Sequence, residues 1–298
     1  MSVAPRVVLV HRPTELDELI ERHGTRGQTA FFLSTRGRNI GEVEERNRLQ
    51  AAAIHSVAAA IPVDWRRGAV LRADLPRFHF EPEDLIVVVG QDGLVANVAK
   101  YLSGQPVLGV NPDPARNPGV LVPHDPESAA RLVPRLADAR ALHFQERTMV
   151  ETVIDDGQRL CALNEIFVGP ATHQTARYTI ALADGTSERH ASSGVIASTG
   201  TGATGWCRSA WLERRSHLRL PQPEDSRLAW FVREAWPSPA TGTTMTEGCL
   251  EASDRLFLTI QSDRLVAFGD GIEPDAISLT WGQSLQIRVA KQRLRLVV

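Results

Sequence analysis

The sequence predicts two domains: an α/β N-terminal domain with a parallel sheet, then a β-rich C-terminal domain. Three observations carry this. Residues 85–89, Leu-Ile-Val-Val-Val, form a continuous, largely β-branched run, the pattern of a strand buried on both faces of a parallel sheet. Gly90-Gln91-Asp92-Gly93 breaks the run, residues 94–102 place Leu94, Val95, Val98 and Leu102 on one helical side, and 106–110 supply a further strand. Strand, glycine turn, helix and strand in that order are an α/β unit. After about residue 145 short alternating runs take over, separated by turn signals such as Asp156-Gly157 and Asp184-Gly185, as in hairpins. The expected division is residues 1–144 and 145–298.

Element by element, residues 7–10 read as the first buried strand, too short for a signal segment or a membrane span. Thr14 caps a helix running to Arg22, with Leu16, Leu19 and Ile20 at helical spacing. A second apolar run covers 31–33, and a long helical pattern over 42–60 is stopped by Pro62. Beyond the strand at 106–110, Pro112, Pro114 and Pro118 make the chain irregular, and 127–142 reads as a helix. The β-rich half shows runs at 150–153, 160–163, 178–182, 195–197, 256–260 and 285–289.

Composition excludes several classes. Lys+Arg is 33 and Asp+Glu 35 in 298 residues, a formal net charge of −2, so no bulk pull toward nucleic acid or an anionic membrane is expected. The three cysteines, Cys161, Cys207 and Cys249, are far apart and odd in number, which argues against a disulfide framework or a zinc site. There is no HExxH, no carboxylate cluster of metal-cage spacing, no Walker A sequence, no protein-kinase signature and no G-x-S-x-G elbow. With no targeting segment visible, a cytoplasmic location is expected.

Four constellations remain for chemistry. Gly90-Gln91-Asp92-Gly93 sits at the carboxyl end of the best strand, where open α/β sheets bind ligands. Its glycines let backbone N–H groups approach a phosphate, and a carboxylate there makes sense if it takes a proton from an attacking hydroxyl; an ordinary Asp-Gly turn is the competing reading. Residues 200–205, Gly-Thr-Gly-Ala-Thr-Gly, match a dinucleotide fingerprint formally. No second buried strand follows, so a loop from Ser198 through Thr204 contacting a nucleotide is preferred. Asn164-Glu165 lies between two apolar runs, where its side chains reach ribose hydroxyls or an adenine amine, or form a turn. Gly269-Asp270-Gly271 is a further Asp-Gly turn.

The order of these signals resembles the NAD kinase family: Gly-x-Asp-Gly, then Gly109-Val110-Asn111, Asn164-Glu165, Ser-Thr-x-Thr-Gly and a late Asp-Gly, over roughly residues 85–290. The family usually has Gly-Gly-Asp-Gly-Thr first, and Ser-Thr-Pro-Thr-Gly-Ser-Thr-Ala-Tyr with a Ser three residues later. Here the loop is Ser198-Thr199-Gly200-Thr201-Gly202-Ala203-Thr204-Gly205-Trp206, with Ser209 three beyond Trp206. The resemblance implies transfer of a phosphoryl group to the adenosine ribose 2′-hydroxyl of NAD, from ATP or another donor, with Mg²⁺ carried on the donor phosphates. It implies Asp92 as the base, with Gly90, Gln91 and Gly93 in its turn. It implies substrate contacts at Asn164, Glu165, Thr199, Thr201, Thr204, Gly205, Trp206, Ser209 and Asp270, a homodimer or homotetramer, and last strands that return to the first domain. Departures mark a divergent branch. Gln91 stands where the family has Gly, Leu94 for Thr, Gly200 for Pro, Trp206 for Tyr, Ser193-Gly194 for Asp-Gly, and Pro112-Asp113-Pro114 follows Asn111. Other readings are a kinase of the same superfamily acting on another nucleoside, sugar or lipid hydroxyl, a non-catalytic nucleotide-binding regulator, and a Rossmann oxidoreductase read from Gly200 to Gly205.

Overall fold

The structure, a computed structural model, describes residues 4–298. The chain divides into two compact units: one holds the chain up to Val98, Gln105–Gln145 and Arg295–Val298, the other Ala99–Gly104 and Glu146–Leu294.

The first unit is α/β. In chain order it contains β1 (Arg6–His11), α1 (Glu15–His23), α2 (Arg26–Ser34), α3 (Ile40–Ala59), β2 (Arg66–Leu71), β3 (Asp84–Val89), α4 (Asp92–Ala99), β4 (Pro106–Val110) and α5 (Pro126–Leu132). The strands pair in the order β2-β1-β3-β4, every pair parallel, as the uninterrupted apolar run of β3 demands. All six residues of β3 are buried. Val7, Val87, Val89 and Leu108 share a core with Ala53 and Val57 of α3 and Ala129 of α5. Thr14 caps α1 through a reciprocal box: its hydroxyl accepts from Asp17 N, and Asp17 accepts from Thr14 N at 2.8 Å.

The apolar run at 31–33, to which the sequence alone assigns no element type, lies inside α2, whose cap is Thr25. One sequence expectation changes. The helix expected over 127–142 stops at Leu132 and gives way to two short 3₁₀ turns. Pro134 supplies no N–H to an α-helical ladder, and its ring crowds the preceding turn.

The second unit is β-rich. It contains most of β5 (Phe144–Ile154), then β6 (Arg159–Ala162), β7 (Glu165–Gly169), β8 (Ala176–Leu182), β9 (Ser187–Ser192), β10 (Val195–Ser198), α6 (Trp206–Arg214), β11 (Leu228–Val232), β12 (Glu247–Leu250), β13 (Leu256–Ile260), β14 (Leu265–Gly269), β15 (Ile272–Leu279) and most of β16 (Ser284–Val297). One antiparallel sheet runs β12-β11-β10-β7-β14-β15. A second antiparallel group runs β16-β13-β8-β9, with β5 pairing β16 and β6. Their apolar faces meet in one core holding Ile166, Val195 and Leu228 from the first and Tyr178, Leu258 and Ile287 from the second. The two-domain class read from the sequence is therefore the architecture found. The last residues of β16 belong to the first unit, where Arg295 and Leu296 pair in parallel with Pro106 and Val107 of β4. Among the described residues no helix is long and apolar enough to cross a membrane.

Candidate functional site

In the first unit the Gly-x-Asp-Gly turn joins β3 to α4. Gly90 N donates to Val110 O at 3.0 Å, which ties the turn to the end of β4. Asp92 opens α4, and its carboxylate faces the loop at 120–122. Oδ1 accepts from Leu121 N at 2.7 Å and Val122 N at 3.2 Å, and Oδ2 from Val120 N at 3.0 Å. Oδ2 thus keeps a lone pair for a further donor. Gly109 lets that loop come so close: a Cβ there would lie 2.0 Å from Leu121 O. Gly93 has open space around it, with nothing within 4 Å of an added Cβ. Gln91 is exposed. Asn111 shapes its own loop, donating to Asn117 O at 2.8 Å and accepting from Asp113 N at 3.1 Å.

In the second unit Asn164, Glu165, the Ser198–Thr201 segment and Asp270 are brought together. Asp270 sits in the β14–β15 turn at φ 53°. Its carboxylate accepts from Leu163 N at 2.8 Å and Asn164 N at 2.6 Å. Asn164 O accepts from Thr199 N at 2.9 Å and Ser198 Oγ at 3.0 Å, while Thr199 Oγ1 donates to Leu163 O at 2.6 Å. Gly202 passes close by: a Cβ there would meet Asn164 O at 2.3 Å. Most of these polar groups hold one another, so the 163–165 and 198–202 segments form a single rigid corner. Thr201 Oγ1 is buried in it with no hydrogen-bond partner among the described residues, a group set to accept from or donate to a ligand.

Burial and the negative charge of Asp270 push the Glu165 carboxyl up to about 7. Burial pushes Asp270 up to about 6, against the pull of the Leu163 and Asn164 N–H groups and of Lys100. Glu165 therefore exchanges a proton near neutrality, and it lies half-buried beside Asn164.

The remaining expected residues follow the corner. Thr204 is exposed and its hydroxyl donates to Thr201 O at 3.0 Å. Gly205 and Ser209 are exposed at the start of α6. Trp206 stacks on Phe167, with ring centroids 5.4 Å apart and planes at 26°, and the Arg233 guanidinium lies 5.0 Å from its centroid. Ser193 donates its hydroxyl to the Glu234 carboxylate, so an acid stands beside the position where the family usually carries one.

Sequence reasoning missed several groups. The Val120–Val122 N–H donors are backbone and leave no side-chain signal. Lys100 is buried against Asp275, with Nζ 2.8 Å from Oδ2, and Tyr101 OH donates to the same carboxylate at 2.5 Å; the partners are too far apart in sequence for any local pattern to reveal them. The oxidoreductase reading of 200–205 does not hold. A dinucleotide fingerprint requires parallel strands around a strand–turn–helix, whereas β10 is antiparallel to both neighbours, β7 and β11.

No family model matches the chain. Three curated relatives do, all NAD kinases. The protein from Methanospirillum hungatei is 30% identical over 138 residues, 45% of this chain and 49% of the relative. That from Methanoregula boonei is 27% identical over 194 residues, 63% of this chain and 68% of the relative. That from Chlorobium limicola is 28% identical over 131 residues, 43% and 44% respectively. The chain thus matches about half the length of the first of these relatives. Two solved structures share the fold at 15% identity. An Archaeoglobus fulgidus NAD kinase in complex with ATP gives a TM-score of 0.57 over 98% of this chain and 93% of that one. Yeast NADH kinase complexed with NADH gives 0.62 over 100% and 84%. The likeness to NAD kinases carried by the motifs extends to curated sequences and to solved folds.

Proposed function

We propose that this chain is a divergent NAD kinase, transferring a phosphoryl group from ATP, carried with Mg²⁺, to the adenosine ribose 2′-hydroxyl of NAD. One observation carries the reading. The carboxylate of the Gly-x-Asp-Gly turn is pinned by three N–H bonds at the carboxyl edge of a parallel sheet, with one acceptor position of Oδ2 left open. A ribose hydroxyl is a poor nucleophile at neutral pH, and a positioned carboxylate answers that need. Asp92 is the base in this reading. Gly90, Gln91 and Gly93 form the phosphate-side turn, and positioning with charge neutralisation supplies the rest of the rate in a loose phosphoryl-transfer transition state.

In the second unit Asn164 and Glu165 hold the adenosine, with Thr199, Thr201, Thr204, Gly205, Trp206 and Ser209 in the adjoining loop. Asp270 acts through them: its carboxylate is spent on the Leu163 and Asn164 N–H groups, which fixes the pair that meets the substrate. The similarity of the yeast NADH kinase and Archaeoglobus structures, solved with NADH and ATP, supports nucleotide ligands here. The protein works in the cytoplasm, as a homodimer or homotetramer.

The test is purified protein with Mg²⁺ and ATP against NAD, NADH, nucleosides and sugars, read by mass spectrometry. NADP from NAD is the expected product. No phosphorylated product from any acceptor would overturn the reading in favour of a nucleotide-binding regulator. A different adenosine acceptor is the second reading, favoured by Ser193 standing where the family usually has an Asp; preferential phosphorylation of an adenosine compound lacking nicotinamide would establish it.

A further inference from the structure

At the carboxyl ends of β1 and β3 the first unit opens a cleft of about 200 Å³, walled by the turn after β1, by Gly90 and Gln91, and by the 112–117 loop. Its charges are nearly all spent. Glu15 takes two guanidiniums, Arg38 at 2.6 Å and Arg46 at 2.7 Å. Asp113 takes Arg116 at 2.9 Å. Among the described residues Glu18 is the lining acid without an ion pair, and Arg12 the lining cation without a carboxylate: its guanidinium donates to the neutral Gln91 Oε1, at 3.3 Å. Its backbone is held meanwhile, since Gln50 Nε2 donates to Arg12 O at 2.7 Å.

Gln91 does more than meet Arg12. Its Nε2 donates to Asn117 Oδ1 at 3.4 Å, so one amide side chain spans the cleft from the β1 wall to the 112–117 wall. Both bonds are long and at most one partner in each is charged, near the limit at which a hydrogen bond counts. A guanidinium–phosphate bond is charge-assisted, forked and roughly twice as strong as a neutral one. A phosphate entering this cleft therefore takes Arg12 away from Gln91.

We propose that Arg12 is the phosphate-binding cation of this cleft and that Gln91 is a polar strap across it, displaced when a phosphate chain binds. The inference deepens the kinase reading and rests on it only for which molecule brings the phosphates. The donor's triphosphate and the acceptor's pyrophosphate share the chemistry, and the arms of the test separate them.

The experiment is calorimetric titration of the intact protein with inorganic tripolyphosphate and with pyrophosphate, at fixed low salt, for wild type, R12A, R12K and Q91G. Thermal melts confirm that each variant folds; Arg12 and Gln91 are both exposed. Expected is a loss of about tenfold or more in tripolyphosphate affinity in R12A, partial recovery in R12K, and a gain of about threefold in Q91G, where no strap competes. KM for ATP should move in step if the donor occupies the cleft; KM for NAD should move, with pyrophosphate the tighter probe, if the acceptor does. Wild type that binds neither anion, or R12A that binds both as well as wild type, overturns the proposal whatever the kinase assay gives. R12-dependent anion binding in a protein that transfers no phosphoryl group would instead overturn the kinase reading and leave this one standing.

Discussion

Asp92 and Asp270 use their carboxylates in the same way. Each accepts backbone N–H bonds from a neighbouring segment: Asp92 from Val120, Leu121 and Val122, Asp270 from Leu163 and Asn164. From the sequence both look like ordinary Asp-Gly turns, because the donors lie far along the chain and are main-chain groups. This changes what Asp92→Asn means. Asparagine offers one acceptor oxygen and turns an NH₂ toward N–H donors, so the variant loses at least one seat bond, at about 1–3 kcal/mol. The expected outcome is turnover reduced by at least about a hundredfold, with a lower melting temperature and adenosine-nucleotide affinity little changed. Wild-type turnover in a folded variant would remove Asp92 from the mechanism. Glu165 gives a second residue-scale expectation. Its carboxyl sits near 7 in the fold against 4.5 ordinarily, so between those values the folded chain holds a proton the unfolded chain has released. Stability therefore falls as pH rises through that window, by up to about 3 kcal/mol. Glu165→Gln removes the buried charge without changing shape. It should melt above wild type at pH 8, with the gap closing by pH 5; a variant less stable than wild type at pH 8 would refute the assignment.

At the scale of elements, legibility followed how local the signal was. β3, the glycine turn, α4 and β4 announce themselves through an apolar run, a breaker and a helical period within one short stretch. β15 gave no such signal: Ile272–Leu279 contains Pro274, and the sequence alone assigns no element there. It forms because it is the edge of its sheet, where a residue without an N–H is tolerated. β11, Leu-Ala-Trp-Phe-Val, is buried throughout and lacks the alternation that marks a half-exposed strand. Glycine spacing was also silent about purpose. Gly109 and Gly93 look alike in sequence, yet one is crowded by Leu121 O at 2.0 Å from an added Cβ and the other has nothing within 4 Å. Gly109→Ala must push the 120–122 loop away from Asp92. It is expected to cost about 1–3 kcal/mol, as overpacking does, and to lower turnover by about tenfold or more through loss of positioning. Gly93→Ala should leave the melt at or slightly above wild type, since Gly93 is the second residue of α4 with open space around it and helical residues favour Ala over Gly. Equal melts for the two variants, with turnover kept in Gly109→Ala, would show that the close approach does not position Asp92.

For the whole molecule the informative feature is where the chain ends up. The parallel sheet of the first unit receives its last strand from residues 295–297, made after the entire β-rich unit. Arg295 and Leu296 pair with Pro106 and Val107, His124 Nε2 lies 3.1 Å from Val297 O, and Val298 N donates to His143 O at 3.1 Å. Leu296 and Val297 are completely buried. A pairing across so long a loop is entropically costly to close and slow to form. It persists because it buries two large side chains, and its worth can be measured. Leu296→Ala removes a fully buried side chain beside β4 and should cost about 2–5 kcal/mol. If the first unit is a distinct cooperative element, that loss appears locally. Hydrogen exchange at the β3 and β4 amides should accelerate by the corresponding factor, while amides in β7 and β10 keep their wild-type protection. Equal acceleration in both sets would show that the chain opens as one unit. Unchanged exchange in β3 and β4 would show that the returning strand adds no stability to the sheet carrying Asp92.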